Sequence, residues 1–287
     1  MRIGFIRYVF ALLLGINASS AAAADNAAPK PLTLGFMPYL NAELLVEKYT
    51  PLAQYLGERL GRPVQVTVAK DYDEHIRLTG EDKIDISFLG GSPYVVIANH
   101  YGAKPLLARY EFDGAPTFRA VIFVADSSPY TSLSDLKGKR VAFGSAQSTL
   151  SSQVPTYMLM QAGVPLDALA DYKHLRNHSN VVLGVQFGDF DAGAVAEEVF
   201  KENLDKPIRA LAYSPNLSTH VFVTRANMEP GLRDAIKRAL LELRNAPRGP
   251  AVLNAIAHNL TGFVPAHDAD YDLHRDILAK VLPVLEQ

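Results

Sequence analysis

Ser145, Ser148, Thr149, Ser151 and Ser152 place five hydroxyls within eight residues. They follow the apolar run Val141–Phe143 and Gly144, and they precede a helical stretch, Gln153–Ala162, closed by Gly163. The first N–H groups of a helix have no partner inside it, and the helix dipole draws anions to that end. Ordinary N-capping needs one hydroxyl. Five exceed that need, so the segment reads as a loop in which neutral donors hold an anion. Pro155 is compatible because it falls in the first turn.

Other residues could share this chemistry. Tyr39 follows the apolar run Leu32–Phe36, and Ser92 and Tyr94 follow Ile84–Leu89. Strand ends at the crevice of an open α/β sheet are where such folds bind ligands. His178 opens another helical stretch; alone it is equally a surface or capping histidine. Tyr72 is either a donor or a half-buried aromatic, and Glu198, beside Glu197, either faces a ligand or is an exposed helical acid. His174 and His178 are four apart, as in a metal pair on a helix, but spacing fixes no third ligand, so no metal or other cofactor is expected. His258 falls on a helical stretch. His267 and His274 accompany Asp268, Asp270 and Asp272 in what reads as a solvated acidic turn. No arginine is implied at the site, so each anion oxygen would be paired with a neutral dipole. Signatures of serine hydrolases, zinc proteases, dinucleotide sites and P-loops are absent.

The elements that position these residues alternate. Strands at Leu32–Phe36, Val64–Val68 and Ile84–Leu89 are separated by helices at Ala42–Leu60 and Tyr72–Thr79 and followed by one at Tyr94–His100, a pattern for a parallel sheet covered by helices. Ala120–Ala125 is a crossover strand into a second unit. That unit holds Val141–Phe143, Tyr172–Leu175, the helix Val181–Phe187 and Ala192–Val195. Thr219–Thr224 returns. Amphipathic helices at Met228–Arg244 and Tyr271–Leu285 are expected to pack on the first unit. The predicted division is a first lobe of 25–124 and 219–287 and a second of 125–218, joined by two hinge strands.

The 287 residues carry a formal charge of −2 and no cysteine. This excludes disulfides and thiolate metal sites, and it leaves no basic surface for nucleic acid. Arg2 and Arg7, an apolar run Tyr8–Ile16 and the small residues Ala22–Ala24 read as a secretory signal peptide over 1–24. A periplasmic location and a monomer are expected.

Ser148–Thr149–Leu150–Ser151, with Pro155 beyond it, resembles the Ser-Thr-Ser-Gly loop and following Pro of the phosphonate/phosphite-binding proteins of ABC importers. His178 with Asp191 thirteen residues on, Glu198 seven further, and Asp71–Tyr72 match that family's spacing. The resemblance spans nearly the whole chain after the leader. It implies the type II periplasmic binding fold, an α/β architecture of two Rossmann-like lobes. It also implies ligand contacts from Ser148, Thr149, His178 and Tyr72, a Glu198 that meets an amine-bearing tail, and an Asp191 that holds local structure. This chain has Leu150 for the third loop Ser, Ser151 for the Gly, Phe118 for a Tyr and Thr219 for a second acid.

The implied function is capture of a small phosphorus oxyanion (phosphonate, phosphite or phosphate) and delivery to an inner-membrane ABC permease, without catalysis. The same closed form would serve a binding protein for another anion or organic solute that signals to a membrane histidine kinase. A serine paired with His178 and an orienting carboxylate would instead make a periplasmic hydrolase.

Overall fold

The computed structural model describes Met1 and residues 30–285; residues 2–24 of the expected leader, 1–24, lie outside the described residues. In chain order, β1 (Leu32–Phe36), α1 (Ala42–Leu60), β2 (Val64–Val68), α2 (Tyr72–Gly80), β3 (Ile86–Leu89) and α3 (Gly91–Tyr101) build the first unit. β4 (Leu106–Phe112), β5 (Thr117–Phe118), β6 (Ala120–Ala125) and β7 (Arg140–Phe143) follow. A π-helical turn, Thr149–Gln153, runs into α4 (Val154–Gln161). Then come β8 (Asp171–His174), α5 (His178–Gln186), β9 (Ala192–Ala196), α6 (Glu197–Lys201) and β10 (Ile208–Tyr213). β11 (Leu217–Ser218), β12 (Val221–Thr224), α7 (Pro230–Glu242), α8 (Gly249–Ile256), β13 (Leu260–Pro265) and α9 (Asp272–Leu285) end the chain.

Two sheets result. The first is ordered β13-β4-β12-β3-β1-β2, with β1 parallel to β2 and β3 and the other pairs antiparallel. The second is ordered β10-β6-β9-β7-β8, with β7 parallel to β8 and β9. β6, expected as the crossover strand into the second unit with 120–124 counted in the first lobe, lies in the second sheet, antiparallel to β9 and β10, where Ala120–Val124 is buried throughout. The chain therefore changes sheets at β5, whose short ladder with β11 pairs Phe118 with Leu217. β4 and β13, an antiparallel extension of the first sheet, went unread in the sequence.

Local chemistry explains the helix boundaries that matter. The Asn41 side chain accepts from the Leu44 N–H at 2.8 Å to start α1, and Gly61 ends it at a φ of 59°, a left-handed conformation that favours glycine. α3 starts at Gly91, ahead of the expected Tyr94, which puts the Ser92 N–H in its first turn. His258 falls just beyond α8, whose last residue is Ile256.

The lobes meet across the cleft. The His178 N–H donates to the Tyr39 carbonyl at 2.9 Å, and the Ser92 N–H donates to Thr149 Oγ1 at 3.0 Å. Lys48 on α1 pairs with Glu202, just past α6, at 2.9 Å. α7 packs on the first lobe as expected, but α9 spans both lobes: it lies on α3, on the π turn and on α4, with Lys280 over the Tyr157 ring at 5.2 Å.

Gly90 registers this closure. A Cβ there would lie 2.9 Å from Thr149 Oγ1 of the opposite lobe, while its φ of −69° suits any residue. Gly90→Ala should therefore leave the ligand-free protein folded, with a melting temperature close to wild type. Ligand affinity measured by calorimetry should fall about tenfold, since the added methyl opposes closure alone. Unchanged affinity would show that ligand capture does not bring Thr149 against Gly90.

Candidate functional site

Helix starts converge on the cleft. β1, β2, β3, β7 and β8 all run parallel within their sheets, and each leads into a helix at its carboxyl end. The sequence read there supplies Tyr39 before α1, Tyr72 at the start of α2, Ser92 in the first turn of α3, Ser148 and Thr149 at the π turn, and His178 at the start of α5. Ser148, Thr149, Tyr72, Ser92 and His178 are all buried. Such an arrangement aims unpartnered N–H groups and positive dipole ends into one space. A recess of about 480 Å³ lies beside Tyr72, Ser145 and Arg176.

The hydroxyl loop divides its labour. Ser148 Oγ caps the π turn by accepting from the Ser151 N–H at 3.2 Å. It lies 3.4 Å from His178 Nε2. Thr149 Oγ1 accepts from Ser92, so its own proton is free to point into the cleft. Ser151, also expected at the ligand, is turned away. Its hydroxyl accepts from the Gly144 N–H at 2.8 Å and donates to the Ala194 carbonyl, so it ties the loop to β7 and β9. Leu150, in place of a third loop hydroxyl, is buried in the apolar core. The π turn, with its extra residue, reorients these side chains; turns of this kind gather at functional sites.

His178 is a neutral donor. Its Nδ1 accepts from the Ala196 N–H at 3.3 Å, which leaves the ring proton on Nε2, facing Ser148. Burial pulls its pKa down to about 3, so it stays uncharged. His174, the suggested metal partner, ends β8 and meets Ser152 Oγ at 3.1 Å, so the two histidines do not share a helix face. Asp191 braces β7 by accepting from the Arg140 N–H at 2.9 Å.

Three further expectations move. Tyr94 points away from the cleft: its hydroxyl donates to Asp268 at 2.6 Å and its ring packs on Tyr271 in a separate cluster. His274 leaves the acidic turn and is buried against Gly91. Thr219 is sealed, donating to the Tyr110 carbonyl at 2.7 Å, because backbone alternation turns its neighbour His220 inward instead. His220 escaped the sequence reading, since it sat within an apolar strand pattern.

His220, Phe118 and Glu198 lie close to Tyr39 and its neighbours. The Phe118 ring meets the His220 ring edge-on at 4.9 Å. Glu198 and His220 line a narrow cavity, about 10 Å³, with Tyr39, Tyr49 and Tyr110. The three tyrosine hydroxyls bond in a chain, Tyr39 to Tyr49 at 2.9 Å and Tyr49 to Tyr110 at 2.7 Å. Burial raises the pKa of each well above the usual phenol value. Burial also pushes Glu198 up to about 7, with Glu202 and Glu197 adding to it and the Glu198 backbone N–H and Lys48 opposing.

Residues 34–271 match the family model described as ABC transporter, phosphonate, periplasmic substrate-binding protein. The chain belongs to that family. Members are transport binding proteins. Relatives include the phosphate-import protein PhnD of Mycolicibacterium smegmatis, 28% identical over 269 residues, covering 85% of this chain and 84% of that one. Another is the phosphonates-binding periplasmic protein of Escherichia coli, 26% identical over 243 residues, covering 79% and 70%. Among solved structures, PhnD1 from Prochlorococcus marinus in complex with methylphosphonate has a TM-score of 0.82 at 23% identity, covering 88% of this chain and 99% of that one. The type II periplasmic binding fold expected from the sequence is thus the fold found. No helix among the described residues is long and apolar enough to cross a membrane.

The raised Glu198 pKa has a signed consequence. Below about pH 4.5 the carboxyl is protonated folded or unfolded; between 4.5 and 7 the unfolded chain ionises first, so folding stability is lost as pH rises through that window. Glu198→Gln should raise the melting temperature by a few degrees at pH 8 and leave it unchanged at pH 4, read by calorimetry. A gain of equal size at both pH values would remove ionisation as the cause.

Proposed function

We propose that the chain is an extracytoplasmic solute-binding protein, acting as a monomer, that captures a small phosphorus oxyanion (phosphonate, phosphite or phosphate) by lobe closure and presents it to the permease of an ABC importer. The observation that carries this reading is the set of neutral donors gathered from both lobes at helix starts: the Ser148 and Thr149 hydroxyls, the π-turn amides, His178 Nε2–H and the Tyr72 hydroxyl. A tetrahedral oxyanion offers many acceptor sites and no donors when fully ionised. A cradle of neutral donors satisfies them and still releases the ion when the lobes part.

The same geometry speaks against hydrolysis. A histidine that activates serine needs an unprotonated nitrogen on the serine side. In His178 the nitrogen facing Ser148 carries the proton, and Nδ1 takes its hydrogen bond from a backbone N–H where a hydrolase would place a carboxylate. Ser148 is thereby a binding hydroxyl.

The test is a thermal-shift and calorimetric panel of phosphate, phosphite, methylphosphonate, 2-aminoethylphosphonate, sulfate and simple carboxylates, after removal of co-purified ligand. Binding to the folded state alone raises the melting temperature. A phosphorus oxyanion should shift it, and Ser148→Ala or Thr149→Ala should each weaken binding about 10- to 100-fold, the cost of one lost hydrogen bond to a charged group. A response to sulfate or a carboxylate alone would overturn the assignment.

A further inference from the structure

His220 has a ring nitrogen with nothing to bond. It sits between β11 and β12, in the hinge segment, with its ring stacked on Phe88 at 4.7 Å and 22° and facing Tyr39 at 6.0 Å. The residue is 7% exposed, and Nδ1 is buried with no hydrogen-bond partner among the described residues. Buried polar atoms left unpaired are rare in folded proteins because each costs a full desolvation penalty. The neighbours do not relieve it. The Tyr39, Tyr49 and Tyr110 hydroxyls bond in a chain that does not include His220, Lys48 is held by Glu202 and the Ile256 carbonyl, and the neighbouring rings of Phe88 and Phe118 are apolar. Burial keeps the imidazole neutral, able to accept at one nitrogen and donate at the other.

The position of this ring limits what it can meet. Tyr39 lies between the two histidines, its ring 6.0 Å from that of His178 and 6.0 Å from that of His220. A tetrahedral ion whose oxygens rest on Ser148, Thr149 and His178 has a fourth substituent left over, and Tyr39 is the side chain that borders both His178 and the cavity that His220 lines. The cavity behind it, about 10 Å³, accepts a group the size of one water.

We propose that His220 hydrogen-bonds this fourth substituent, and that the protein therefore selects inorganic phosphate, whose fourth substituent is an oxygen, over alkylphosphonates of similar size. The inference rests on the phosphorus-oxyanion reading above and assigns the substrate within it. A P–OH donates to the unprotonated ring nitrogen, or a P–O⁻ accepts from the protonated one. A methyl group in that place leaves the imidazole unpaired, and an aminoethyl tail needs more room than the cavity has.

Isothermal calorimetry at pH 8 with phosphate, monofluorophosphate, phosphite and methylphosphonate tests this. Monofluorophosphate matches phosphate in size and charge but replaces the fourth oxygen with a poor acceptor that has no proton. Phosphate should bind about 10- to 100-fold more tightly than the other three. His220→Phe should weaken phosphate by that factor, leave methylphosphonate within about twofold, and so level the series; His220→Gln, which keeps an acceptor and a donor, should restore part of the preference. Equal wild-type affinity for phosphate and methylphosphonate, or for phosphate and monofluorophosphate, overturns the inference while the phosphorus-oxyanion reading stands, and this comparison needs no variant to fold. Binding of sulfate or a carboxylate with no response to any phosphorus compound overturns both.

Discussion

An anion taken out of water must have its oxygens paired, because an unsatisfied buried charge costs more than closure of two lobes can return. In this chain that constraint is met by backbone geometry. Parallel strands deliver their carboxyl ends to one line, and each following helix starts there with free N–H groups and a positive dipole end. The side chains at those starts are neutral: tyrosine, serine, threonine and a histidine whose tautomer is set by the Ala196 N–H. Neutral donors suit a carrier. A buried arginine or lysine would need its own counter-charge whenever the cleft opened, whereas hydroxyls exchange ligand for water at little cost.

Closure follows from the same contacts. The Tyr39 carbonyl with the His178 N–H, and Thr149 with Ser92, join opposite lobes through the very groups that form the cradle. On the function proposed above ligand and closure are linked, since a ligand shifts an open–closed balance only by binding one form better. The Lys48–Glu202 pair and α9 lie outside the cradle and bias the balance without touching the ligand. The chain passes between the two sheets at the short β5–β11 ladder.

Much of this was legible in the sequence, for identifiable reasons. Strong periodicity gave β1, α1, β2 and β6 their observed bounds, and hydroxyl density marked the π turn before any fold was known. What failed were choices that one-dimensional patterns leave open. Ser151 looks like Ser148 in sequence, yet its hydroxyl is spent between Gly144 and Ala194. Thr219 and His220 are neighbours, and only the register of the strand decides which faces the cavity. Tyr94 follows a strand as Ser92 does, but two positions along a helix rotate it to another face. β6 joined the second sheet because long-range pairing with β9 and β10 outweighs its nearness in sequence to the first.

The inner wall shows where stability yields to recognition. Glu198 and His220 face the same narrow space, one a carboxyl whose ionisation burial resists, the other an imidazole with an unpaired nitrogen. Apolar residues of like size at both positions would fold more stably, since each polar group is held there against its preference for water. Their neighbours show that the fold can fill such space with satisfied groups: the three tyrosines behind them pair every hydroxyl. An unpaired imidazole nitrogen beside three bonded hydroxyls is best accounted for by a partner that arrives with the ligand. The cost in folding free energy then becomes discrimination, because a ligand that cannot supply the missing bond leaves the penalty in place and one that can removes it.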